Sequence, residues 1–309
     1  MVLLLKKIIL TYKVVFISYF RFLSEKKCFE LLMKRLFLFL LSFVTFLNHA
    51  QSNQILDFKA GYAPETNYLQ TTINSSDYEV MYSGSETFLE TLKSNKVQNP
   101  SKIKTVFNLE TVSKTGKSDK SGNFPITIEY LKSVDLDGKT IIPNGTLIYG
   151  KASLSTMPEI DSIVSKDMEE DFKNTVFQMV KNTFSQLALP HKKLKIGESF
   201  TQESPLTLPI AGINIEMQII TVYNLKSINS KNAFFDITQT YTMKMSDNRF
   251  ETNGSGIGKG NLIYDIPNHF ISENNLEMDF TLGLKHTDFA LDLKSKSDFK
   301  QTSTISKGK

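Results

Sequence analysis

The chain has 309 residues, with 36 Lys and Arg against 32 Asp and Glu, a formal net charge of +4, one cysteine and no tryptophan. Residues 1–50 carry 8 of the basic and 2 of the acidic residues, so the remainder holds 28 basic against 30 acidic, a net charge of −2. That balance leaves no basic footprint for nucleic acid, and the sole cysteine, Cys28, leaves the chain beyond it with neither a disulfide nor a thiol nucleophile.

Residues 1–32 are basic and greasy, more than any export signal requires upstream of its start, and we read Met33 as the initiator and 1–32 as an over-extended gene reading. An anchoring helix over Leu3 to Phe22 is disfavoured by Lys6, Lys7 and Lys13. Each charge at the bilayer centre costs about 2.5 kcal/mol or more. Met33-Lys34-Arg35 then precede the twelve-residue apolar run Leu36 to Leu47, too short for the roughly 20 residues that span a bilayer. Small and polar residues follow, so 33–50 reads as a secretory signal cleaved between Ala50 and Gln51. No cysteine follows that junction to take a lipid anchor, so no stable membrane anchor is expected after cleavage, and the periplasm is the expected location, with the exterior or the outer membrane as the alternatives.

Residues 51–294 read as a single β-rich domain, large enough to bury a substantial core. Its opening, Ile55 to Tyr68, combines a short strand, a Gly turn and an aromatic return. Thr105 to Val112, Ile126 to Val134 and Thr146 to Tyr149 read as strands separated by turn clusters such as Pro143-Asn144-Gly145. Pro158 to Leu189 changes period. Ile160, Val164, Met168, Phe172, Val176, Met179, Val180, Phe184 and Leu187 recur every three or four residues, which predicts one amphipathic helix near 158–189, about 45 Å long. Thr156 and Glu159 supply a capping box, and Pro190 the stop.

Leu194 to Phe200 opens the second block much as Ile55 to Tyr68 opens the first. Strict alternation follows in Ile215 to Leu225, Phe235 to Met245, Leu276 to Leu284 and Phe289 to Leu293. The polar run 295–309 reads as a frayed tail. The expected fold is therefore α+β, mostly β: a long curved antiparallel sheet, half-barrel-like, with one long amphipathic helix packed on its apolar face.

Chemical signatures are absent. Gly254, Gly256, Gly258 and Gly260 have the wrong spacing for a nucleotide loop and fall on one face of a strand, opening a bare strip. Gly116-Lys117-Ser118 lacks the upstream glycine of a P-loop, because residue 111 is Thr. Asp135-Leu136-Asp137-Gly138 lacks the later ligands of a calcium loop and reads as a hairpin turn. His191, His269 and His286 are too widely spaced for a local metal pair. No catalytic residue, metal or cofactor is expected, and the chain reads as non-enzymatic.

Three segments carry a resemblance: L-D-F-K-A-G-Y at Leu56 to Tyr62, L-P-H-K-K-L-K-I-G-E-S-F at Leu189 to Phe200, and G-x-G-x-G-x-L-x-Y-D at Gly256 to Asp265. With the Phe/Leu-rich signal, the chain resembles a family of uncharacterised exported proteins of Bacteroidota, which implies an envelope location and no particular activity. More distantly, the expected architecture is similar to the half-barrels of periplasmic lipoprotein carriers, which shelter acyl chains. Two functions follow as expectations. One is an envelope scaffold or interaction module with an unknown envelope protein as partner. The other is a carrier whose cleft between helix and sheet, lined by Phe172, Met179, Phe184, Tyr241, Met243 and Phe280, holds a lipid or other hydrophobic small molecule. The intact mass of the exported chain, expressed in a bacterium, should correspond to a start at Gln51.

Overall fold

The computed structural model describes residues 55–308, apart from 155, 187–189, 211–212 and 246–250. The export signal and its junction at Ala50 and Gln51 lie outside the described residues. In chain order the elements are β1 (Leu56–Phe58), β2 (Thr66–Gly84), α1 (Glu86–Ser94), β3 (Ser101–Thr115), β4 (Asn123–Asp135), β5 (Leu147–Ser153) and β6 (Glu159–Val164). There follow α2 (Glu170–Gln186), β7 (Lys192–Leu194), β8 (Ser199–Ile210), β9 (Ile213–Ile228), β10 (Asn232–Met245), β11 (Glu251–Asp265), β12 (Phe270–Lys285) and β13 (Phe289–Lys307).

Eleven strands form one sheet in the order β6-β5-β4-β3-β2-β13-β12-β11-β10-β9-β8. Every neighbouring pair is antiparallel. Two meanders, β2 to β6 and β8 to β13, meet where β13 pairs with β2 along its whole length, from Phe289 opposite Gly84 to Lys307 opposite Thr66. The two block openings, alike in sequence, pair with each other: β1 and β7 form a separate two-stranded sheet with Leu56 opposite Leu194.

The large sheet is curled. Laid flat, its edges β6 and β8 would stand about 48 Å apart, ten gaps of ~4.8 Å. Yet α2, about 25 Å long by its 17 residues, packs against both edges. On the concave side, the rings of Tyr68 on β2 and Phe270 on β12 meet at 4.4 Å across the intervening β13. Since β6 and β8 run the same way and α2 connects them, the helix runs back between them and takes the place of a missing stave in an incomplete barrel.

The expected α+β class is therefore corrected: among the described residues the fold is nearly all β, with two short helices and no long helix across the sheet. The first part of the expected helix is strand β6, hydrogen-bonded to β5 from Leu147 opposite Val164 to Lys151 opposite Glu159. A β-bulge explains the deceptive spacing. The register shifts opposite Tyr149 and Gly150, so Asp161 is extra, and Ile160 and Ile163 both pack on the core although three residues apart. The helix itself begins only at Glu170, with Glu170 and Asp171 in its first turn. It turns Phe172, Val176, Met179 and Val180 toward the core.

The tail is also corrected. Residues 295–307 belong to β13, a central strand, with Ser295, Ser297 and Phe299 buried on the inner face at period two. The glycine strip of β11 does face inward, but it is filled. A Cβ on Gly256 would stand 2.5 Å from Phe280 Cβ, and one on Gly254 2.8 Å from Met243 Cβ. At Gly260 it would run into the carbonyl oxygen of Asn275, backbone that cannot swing aside. At Gly258 it would stand 3.2 Å from Gln239 Cβ. Gly260→Ala should therefore destabilise by about 1–3 kcal/mol and Gly258→Ala by less, an order that thermal melting of the two variants checks.

Candidate ligand-binding interior

One end of the barrel is plugged. Phe58 on β1 is fully buried, 5.9 Å from the ring of Phe200 on β8 and 5.9 Å from that of Tyr264 on β11. Tyr62 packs against Tyr68 and Phe270, at 4.9 and 5.3 Å. The Tyr264 hydroxyl donates to the Lys59 carbonyl at 2.8 Å and lies 2.9 Å from His269 Nδ1. Because that hydroxyl's proton goes to Lys59, His269 carries its own proton on Nδ1 and donates it to Tyr264. On the rim, His191 Nε2 meets Asp57 Oδ1 at 2.8 Å, a contact that holds the Asp57 carboxyl below its usual range.

At the opposite end the inward side chains of Phe280, Leu282 and Leu291, with Tyr82 and Ile103, pack on the core but are only half-buried. Water therefore reaches apolar wall there. Eleven strands and a helix make a longer wall than the eight strands whose side chains just fill a closed barrel.

Between the ends lies a buried polar band. The register places Gln202, Thr221, Gln239, Gly258, Met278, Ser297, Ser76 and Thr105 in one row across eight strands, all of them inward and buried. Gln239 Nε2 donates to Thr221 Oγ1 at 3.0 Å, the Tyr241 hydroxyl donates to Gln239 Oε1, and the Tyr223 hydroxyl donates to Gln202 Oε1 at 3.4 Å. Burial pushes the Tyr223 and Tyr241 phenols up, which keeps both as neutral donors. Tyr78, in the adjoining row, is pushed up to about 12 by burial. Among the described buried residues the only charged one is Asp135, and its carboxylate accepts the amides of Asp137 and Lys139 within its own turn. The interior is thus polar in the middle, uncharged, and apolar toward its half-open end.

Of the six expected lining residues, Tyr241, Met243 and Phe280 come together around Gly254 and Gly256 on three adjacent strands. Phe172, Met179 and Phe184 sit half-buried on α2, whose packing is on the edge strands β6 and β8. The six residues expected to line one cleft therefore fall into two groups, one on β10 and β12 and one on α2. Asn74, Gln202, Gln239 and Ser297 escaped sequence reading because strands were recognised by their apolar members. The available signal was phase: Thr72, Asn74 and Ser76 alternate in step with Tyr68, Tyr78 and Val80.

The outer face is charged. Cross-strand pairs Lys102–Glu79, Lys226–Asp236 and Lys296–Asp279, at 3.3, 3.1 and 3.7 Å, project from it. This is the reverse of a lipid-facing barrel, whose outward band is apolar. An open hollow of about 390 Å³ on β11 to β13 is lined by Ser255, Ile257, Asp279, Thr281, Lys294 and Lys296, members of that outer face, together with Gly256, Phe280 and Ser295. Among the described residues no group of three or more His, Cys, Asp or Glu is placed to hold a metal ion.

No protein-family model and no curated protein matches the chain. Similar solved structures include the outer membrane protein OprG from Pseudomonas aeruginosa, at 7% identity and a TM-score of 0.22, covering 80% of this chain and 98% of that one. A mutant porin of Rh. blastica is 7% identical, with a TM-score of 0.23, over 74% of this chain and 99% of that one. Likeness at this level carries no argument about fold, location or function.

The plug carries a pH dependence. Burial, with Lys59 nearby, holds the folded His269 imidazole below its usual 6.5, while Asp57 and Asp265 pull the other way more weakly. As pH falls through about 6.5 the unfolded chain takes up the proton first, so stability falls. His269→Asn, which tolerates the backbone φ of 51° there, should flatten the loss of melting temperature between pH 7 and pH 5. Asp57 titrates below this window.

Proposed function

We propose that this is an exported, non-enzymatic binding protein that shelters an elongated apolar molecule inside its incomplete barrel. Export rests on the signal-like run Leu36 to Leu47 and the Ala50–Gln51 junction. The observation that carries the binding reading is the asymmetric interior: sealed by aromatic rings at the β1–β7 plug and lined at the other end by apolar side chains that water reaches. Inward residues of a finished core are normally withdrawn from solvent, whereas a concave, mostly apolar wall with a few placed polar groups is the ordinary make-up of a small-molecule site. The charged outer face keeps the loaded molecule in water. On this reading the guest lies among Tyr241, Met243 and Phe280, and the envelope is where it is collected and delivered.

Native mass spectrometry of the protein purified from a bacterial periplasm, followed by organic extraction, tests the reading. A stoichiometric apolar adduct, or uptake of the neutral dye N-phenyl-1-naphthylamine by the delipidated protein, is the expected result. A clean apo mass with no dye uptake overturns it and leaves the scaffold, which would act through its outer face.

A further inference from the structure

We propose that Asn74 is the seat for the polar head of the guest, and that this head is uncharged and offers both a donor and an acceptor, as an amide or a hydroxyl does. The inference rests on the reading of the interior as a binding site and specifies the class of molecule it takes. Asn74 lies midway along β2 on the inner face, 1% exposed, between Phe107 of β3 and Phe299 of β13. Neither its Oδ1 nor its Nδ2 has a hydrogen-bond partner. Its polar neighbours vary: Ser76 donates to Ser297 at 2.5 Å and Gln239 is bonded through both ends of its amide, while Thr105 Oγ1, opposite Ser76, is likewise without a partner. Buried amides are almost always paired, so a donor and an acceptor left open on one inward side chain call for a partner from outside the chain.

Charge and length narrow the partner. With Asp135 the only charged group among the described buried residues, a carboxylate or phosphate beside Asn74 would lie buried without a counter-ion. Six residues along β2, roughly 20 Å, separate Asn74 from Val80, whose row across the sheet contains Leu293 and Leu282 near the half-open end. Tyr78, Val80 and Leu293 are buried on the inner face along that stretch, so a guest there takes its room by displacing them. A single acyl chain laid along it places its head at Asn74 and its tail toward the water-accessible end.

The test displaces N-phenyl-1-naphthylamine from the purified full chain with dodecanamide, for the wild type and for Asn74→Leu. The substitution keeps the branched outline and the heavy-atom count and removes the open amide, so the apo protein should melt close to the wild type. The expected result is dye affinity within about two-fold of wild type but at least ten-fold more dodecanamide needed to displace it, the scale of one lost hydrogen-bonded group. Equal displacement in both proteins would overturn the seat and assign the open amide to a trapped water. A wild type that takes up no dye would overturn the binding reading itself, a failure distinct from that of the seat. Should Asn74→Leu not fold, Asn74→Val is read in the same way.

Discussion

Everything in this molecule hangs on the ladder between β2 and β13. These are the first long strand and the last, and their pairing from Gly84–Phe289 to Thr66–Lys307 turns two meanders into one sheet. Without it, the inner faces of the two halves have no common concavity. With it, Ser76 meets Ser297, Asn74 sits opposite Phe299, and one inward row continues across eight strands, polar on six of them. The ladder joins residues more than two hundred positions apart, so its loop-closure cost falls late in folding and must be met by burial on both sides of β13.

The same concavity decides what the interior can be. A flat sheet would need a second layer over its apolar face; this one supplies the layer by curling, with α2 completing the wall. The glycines of β11 contribute room: Phe280 and Met243 occupy the space that side chains at positions 256 and 254 would fill. Inner aromatic rings stack on one another at the β1–β7 plug, and the opposite end is left with apolar side chains only half covered. The interior is therefore graded along its axis, and that gradient distinguishes it from a core of uniform density.

Much of the strand content was legible in the sequence. Leu276 to Leu284 and Phe235 to Met245 alternate cleanly because their inner members are large and apolar and their outer members polar. Where the inner face is itself polar, that contrast disappears. Strand β2 carries Thr72, Asn74 and Ser76 inward and Leu69 and Ile73 outward, and the second half of β13 reads as a polar tail for the same reason. The bulge in β6 hid another strand by giving it a helical spacing. Of the site, Tyr241, Met243 and Phe280 could be named in advance as inward apolar residues; the polar band could not, because its members are significant only once the register aligns them.

The helix between β6 and β8 has a consequence for the protein's life among other proteins. An open sheet ends in two strands whose outer amides and carbonyls are templates for any extended chain nearby, and large β-proteins commonly aggregate through such edges. Here both terminal strands face α2, and one of them, β6, is only six residues long and bulged. The stave that completes the wall thus also acts as a guard, sparing a long, slowly assembled sheet from growing by the addition of its neighbours' strands.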